Sequence, residues 1–129
     1  MANPVYEVGT ATEVRAFHVM PDMEGPEGEL HAHDYRVEVV VGRDQLDTRG
    51  MVCDLDVLET AVRATADRVR DADLELIRPP NAEAVTVEIF ARWAHDELAR
   101  AVRDAGGEVL TVRVWESPVA YGGYQRSLI

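Results

Sequence analysis

The chain contains no lysine; all thirteen of its basic residues are arginines. A lysine Schiff base with a carbonyl substrate is therefore excluded, and any carbon–carbon cleavage would need another electron sink, for which a metal ion is the obvious candidate. There is a single cysteine, Cys53, which rules out an internal disulfide framework. No apolar run approaches the roughly 20 residues needed to span a bilayer. The opening MANPVYEV lacks the basic segment and long apolar stretch of a signal peptide, so a cytoplasmic location is expected. Cations are also scarce overall. The net charge of −11 argues against nucleic acid and anionic membranes as general partners, while leaving room for a small anionic ligand held by local arginines.

What is present suits one domain spanning residues 1–129, with 47% apolar residues to build its core. Residues 5–19 are rich in β-branched and aromatic side chains and read as a strand, with Gly9 a candidate bulge. Residues 20–30, with two prolines and two glycines, read as a loop. Residues 31–42 alternate, placing His31, His33, Tyr35, Val37 and Val39 on one face and Asp34, Arg36 and Glu38 on the other. Asp54 or Asp56 is placed to cap a helix running to about Asp71, with Leu55, Leu58, Val62, Ala66 and Val69 inward. A second helix is expected from about Thr86 to Ala105, burying Ile89, Phe90, Trp93, Leu98, Ala101 and Val102 and ending at Gly106-Gly107. Residues 108–117 alternate again, with Leu110, Val112, Val114 and Glu116 on one face. The tail VAYGGYQRSLI offers a fourth strand. The order ββααββ, with short loops between paired strands, implies an α+β fold in which helices cover one face of an antiparallel sheet.

Histidine carries the chemistry. His31 and His33 point the same way, about 7 Å apart along the strand. An H-x-H pair alone is a weak signal, since exposed histidines at a strand entrance are common. His18 strengthens it: it ends the first strand, and the loop returns the chain beside it, so that an antiparallel hairpin brings His18 next to His31 and His33. Three neutral imidazoles with one position open form the pattern of a catalytic zinc site. Cys53 could in principle close the site, although its apolar surroundings (MVCDL) suit a buried thiol. His95, mid-helix among charged residues, reads as a solvated surface residue.

The segments FH at 17–18, LHAHDYRVEV at 30–39, GMVCDLDVL at 50–58, TVEIFARW at 86–93 and VRVWES at 112–117 occur in an order that resembles the 6-pyruvoyltetrahydropterin and 6-carboxytetrahydropterin synthase family. The resemblance spans nearly the whole chain. It implies a T-fold, a four-stranded antiparallel sheet with two helices between strands two and three. It also implies a trimer or hexamer, zinc held by His18, His31 and His33, and a pterin anchored by Glu116. A pterin edge presents two adjacent N–H donors, which one carboxylate accepts together.

The chain departs from the family pattern at three places. Ala32 stands where the usual motif has glycine. Glu27 stands where the usual synthases have a catalytic cysteine, and Arg70 and Asp71 stand where they have an Asp-His pair. Glu27, in the cysteine's place, and Asp71, near the end of the first helix, are the candidate proton-transfer residues. Some family members with glutamate in the cysteine's place resemble aldolases, cleaving the dihydroneopterin side chain. The leading expectation is a zinc-dependent lyase acting on a dihydroneopterin-type side chain. The alternatives are an enzyme of the same fold recruited to a non-pterin substrate, and a non-catalytic metal- or pterin-binding hexamer.

Overall fold

A computed structural model describes residues 5–129. The strands are β1 (Tyr6–His18), β2 (His31–Arg43), β3 (Val109–Ser117) and β4 (Ala120–Ser127); the helices are α1 (Leu55–Asp67) and α2 (Val87–Asp104). The sheet is antiparallel with order β1-β2-β3-β4, and both helices lie in the connection between β2 and β3. Short 3-10 turns occupy Gly25–Gly28 and Leu74–Ile77.

The alternating pattern decides which sheet face is covered. Val14, Ala16, Tyr35, Val37, Val39, Val41, Leu110, Val112 and Val114 are all buried, and they meet Leu58, Val62, Ala66, Phe90, Ala94, Leu98 and Val102 from the helices. The opposite face is polar. There Arg113 and the Trp115 indole N–H reach Glu38, and Gln125 donates to Thr111.

Each helix starts on a side-chain cap. The Asp54 carboxylate accepts from the N–H groups of Asp56 and Val57, and the Thr86 hydroxyl accepts from that of Ile89. These bonds satisfy donors that have no partner within the helix. Helix α2 stops where Gly106 takes a left-handed φ of 102°, a region that favours glycine.

Several local expectations are corrected. Helix α1 ends at Asp67, four residues before Asp71, because the chain turns through Arg68–Ala72 and Asp71 itself takes a left-handed φ of 56°. Leu55 is 40% exposed; as the first residue after the cap it sits outside the buried stripe. Ala101 is exposed too, since Leu98 and Val102 already fill that part of the core. Gly9 makes no bulge: the β1–β2 register runs unbroken from Tyr6↔Arg43 to His18↔His31. The sheet's irregularity lies between Trp115 and Ser117, so Glu116 is the extra residue of a bulge against β4.

The contrast between two helical leucines is testable. Leu98→Ala should cost about 3 kcal/mol in urea unfolding, whereas Leu55→Ala should cost less than about 1 kcal/mol.

Candidate metal centre

The β1–β2 hairpin builds the site. Its register pairs His18 with His31 and Ala16 with His33, so the three imidazoles meet at the end of the sheet on the helix-covered side. One ring nitrogen from each lies within 4.8 Å of the other two. The Nε2 atoms of His31 and His33 are 3.1 Å apart. Tetrahedral ligands at the usual zinc–nitrogen distance of ~2.0–2.1 Å stand about 3.3 Å from one another, so this spacing suits a shared ion.

Hydrogen bonds at the other ring nitrogens set the tautomers. His18 Nδ1–H donates to the Val85 carbonyl at 3.4 Å, and His31 Nδ1–H donates to the Glu29 carbonyl at 2.8 Å. Each bond leaves Nε2 as a bare acceptor. His18 Nε2 is buried and has no partner. A buried acceptor without a donor is costly, and a cation at the centre of the cluster removes that cost. The donor set therefore fits a divalent metal ion with one coordination position open.

Burial pushes the His18 pKa below its ordinary value of 6.5, with the neighbouring His31 and His33 acting in the same direction. Tyr35 lies beneath the cluster, edge-on to His33 at 5.4 Å and to Phe90 at 5.2 Å. It is 1% exposed. Burial, and then Glu116, push its hydroxyl above the usual range, so it stays protonated.

The other expected site residues are arranged around this centre. Glu116 is exposed and lines a groove of about 600 Å3 together with His33, Trp115 and Ser117. Glu27 is exposed within the 3-10 turn of the hairpin loop, where its carbonyl accepts from the Met20 N–H at 2.8 Å. Asp71 is exposed at the outer edge of β1. Its N–H donates to the Arg15 carbonyl at 2.7 Å, and the next residue's carbonyl accepts from Phe17. Arg70 pairs with Asp67 at 3.0 Å. Among the described residues, the group of converging ligand atoms contains the three histidines and neither carboxylate.

Of the two remaining candidate ligands, Cys53 matches its sequence reading and His95 does not. Cys53 is buried, with burial raising its pKa, and stands apart from the histidine group. His95 is 3% exposed rather than solvated, edge-on to Tyr124 at 4.8 Å, with Nδ1–H donating to Asp96 at 3.1 Å. Its spacing held the signal: His95 lies four residues after Ala91 and three before Leu98, on the buried stripe of α2.

Known proteins share this fold. A model of the 6-pyruvoyl tetrahydropterin synthase family matches residues 7–127. The chain belongs to that family. A curated relative, the 6-carboxy-5,6,7,8-tetrahydropterin synthase of Bacillus subtilis, is 24% identical over 124 residues, covering 93% of this chain and 85% of the relative. The 6-pyruvoyl tetrahydropterin synthase structure from Plasmodium vivax superposes with a TM-score of 0.74 at 14% identity, covering 95% of this chain and 98% of the other. The Caenorhabditis elegans synthase gives 0.68 at 20% identity, covering 96% and 97%. A further P. vivax structure, with a TM-score of 0.73 and 14% identity over 95% and 98% of the two chains, is a catalytic residue mutant in which alanine replaces a glutamate. The T-fold expected from the sequence is thus the fold observed. Among the described residues no helix is long and apolar enough to cross a membrane.

A His31→Ala/His33→Ala double variant should lose its bound divalent metal, as measured by elemental analysis. The metal-free protein should also respond to pH. His18 has a folded pKa below its unfolded value of 6.5. The unfolded chain therefore binds the proton more readily, and stability should fall as pH drops below about 6.5. A His18→Gln variant should flatten that part of the profile in chemical unfolding measured across pH 5 to 8.

Proposed function

We propose that this protein is a zinc-dependent lyase acting on the side chain of a dihydroneopterin-type substrate, by aldolase-like carbon–carbon cleavage with Glu27 as acid and base. The observation that carries the reading is the convergence of three imidazoles on an open position, with a glutamate in the loop that joins their strands. In the P. vivax relative a glutamate is a catalytic residue, which supports the role given to Glu27.

His18, His31 and His33 would hold the zinc ion. When bound, the ion supplies Lewis acidity toward the side-chain hydroxyls. Glu116 accepts the two adjacent N–H donors of the pterin edge, fixing the ring and directing the side chain toward the histidines. The bulge at Glu116 supports that role, because bulges re-aim a side chain at a strand end. Glu27 removes the proton from the hydroxyl carried by the departing carbon of the bond to be broken. That bond's electron pair passes into the ring C=N group, and the hydroxyl carbon departs as the aldehyde. Returning the proton to the remaining carbon yields the hydroxymethyl pterin. Asp71 is assigned a secondary part in proton exchange with water at the β1 edge. With no lysine in the chain, no covalent imine route competes.

Glu116 and Glu27 are both exposed in a single chain, which supports a trimer or hexamer in which a neighbouring copy covers the groove. The reaction would take place in the cytoplasm.

Incubating the zinc-loaded protein with dihydroneopterin should release glycolaldehyde, detected by mass spectrometry. Glu27→Gln should lower that rate by about 100-fold while leaving zinc content unchanged. Formation of a carboxy or pyruvoyl product instead would overturn the aldolase assignment.

A further inference from the structure

Beneath the histidines lies a hydroxyl with no bonding partner. Tyr35 follows His33 by two residues on β2, so both side chains rise from the same face of the strand, roughly 7 Å apart along it. The Tyr35 ring stands edge-on to His33 at 5.4 Å, to His18 at 6.3 Å and to Phe90 at 5.2 Å. The β2–β3 register runs to Arg36↔Trp115, and its next rung sets the Tyr35 and Glu116 positions opposite each other. The Glu116 charge is felt at both Tyr35 and His18. Tyr35 therefore occupies the stretch of sheet between the metal centre and Glu116.

Among the described residues the Tyr35 hydroxyl makes no hydrogen bond, yet it is not fully enclosed: the enclosed side-chain atoms without partners are the Nε2 atoms of His18 and His95. The 1% of Tyr35 that stays exposed thus includes its oxygen. Phe90 and Val37, both buried in the same core, close the apolar side of the ring. The polar groups around it are His18, His33 and Glu116, so the opening lies on their side. The hydroxyl of a buried tyrosine ordinarily finds a partner, because an unmade bond there costs stability. A phenylalanine would fill the same space without that cost. What the hydroxyl adds is a free donor in the floor of the site.

We infer that the Tyr35 hydroxyl is a substrate contact, donating a hydrogen bond to the ring nitrogen next to the carbon that bears the side chain. The inference rests on the pterin reading proposed above. A ring anchored on Glu116 whose side chain reaches the histidines must cross Tyr35, because Tyr35 stands between the two ends. The junction of ring and side chain is the part of the ligand above it. The nitrogen at that junction belongs to the C=N group that takes up the electron pair in the proposed cleavage. A donor fixed there meets negative charge where it develops. The hydroxyl keeps its proton, and Glu27 remains the group that moves one.

Calorimetric titration of the zinc-loaded full chain and of its Tyr35→Phe variant tests the contact. The probes are neopterin and 5-deazaneopterin, in which a C–H group replaces that ring nitrogen. The parent should bind the deaza compound about tenfold more weakly than neopterin. Tyr35→Phe should keep its zinc, bind neopterin about tenfold more weakly than the parent does, and bind the deaza compound as the parent does. Equal neopterin affinity in parent and variant would overturn the contact and leave the pterin reading standing. So would equal losses for both compounds, or loss of zinc from the variant, since Tyr35 would then act through packing. Parent binding that does not distinguish the two compounds would overturn the contact even if the variant failed to fold. Binding of neopterin by neither protein would overturn the contact and the pterin reading together.

Discussion

The β1–β2 register is the constraint on which the core and the site both depend. Side chains alternate faces along a strand, so a slip of one residue would turn every side chain of β1 over. His18, Ala16 and Val14 would then face the open side of the sheet, and Arg15 and Glu13 the core. The pairs Val14↔Tyr35 and Thr12↔Val37 therefore hold more than hydrophobic contacts. Packing of these apolar residues against α1 and α2 fixes the position of His18↔His31, four residue pairs beyond Val14↔Tyr35 on the same ladder. The histidines need no element of their own, because the folding energy of the sheet places them.

The helices contribute to the site as well. Val85, whose carbonyl takes the His18 Nδ1 proton, comes immediately before the cap of α2 at Thr86. The start of α2 thus both covers His18 and selects its tautomer. Burial alone would leave a neutral imidazole with a bare, unsatisfied nitrogen, which is a local cost to stability. At His18, where two further imidazoles converge, a bound cation would remove that cost. Tyr35 underneath closes the cluster off from the core with a ring rather than a charge.

Much of this was legible in sequence for a physical reason: strand alternation and helix spacing report burial directly. Val37, Val39, Val112 and Val114 are inward as their alternation implies, and the hairpin argument brought His18 to His31. Legibility failed where placement depends on a single tertiary contact. His95 looked solvated because its sequence neighbours are charged, yet its helical spacing puts it under Tyr124. Leu55 looked buried because it is apolar, yet the Asp54 cap places it at the outer edge of the first turn. The Glu116 bulge could not be read from alternation, since it arises from the pairing of β3 with β4 after Trp115. The turn that carries Asp71 to the β1 edge depends on one left-handed residue and two backbone hydrogen bonds.

These differences in origin separate the metal centre from the chemistry it would serve. The histidines sit on paired strands, and altering their placement would require undoing the core. Glu27 sits in a short 3-10 turn between Gly25 and Gly28, secured to Met20 by one backbone hydrogen bond. A side chain in such a turn is exchanged at little cost to folding, because no buried contact depends on it. A thiol, a carboxylate or an inert residue at that point would leave the sheet and the three imidazoles unchanged. The loop position proposed to handle protons is therefore among the parts of this fold most free to change, while the strands keep the three imidazoles where they are.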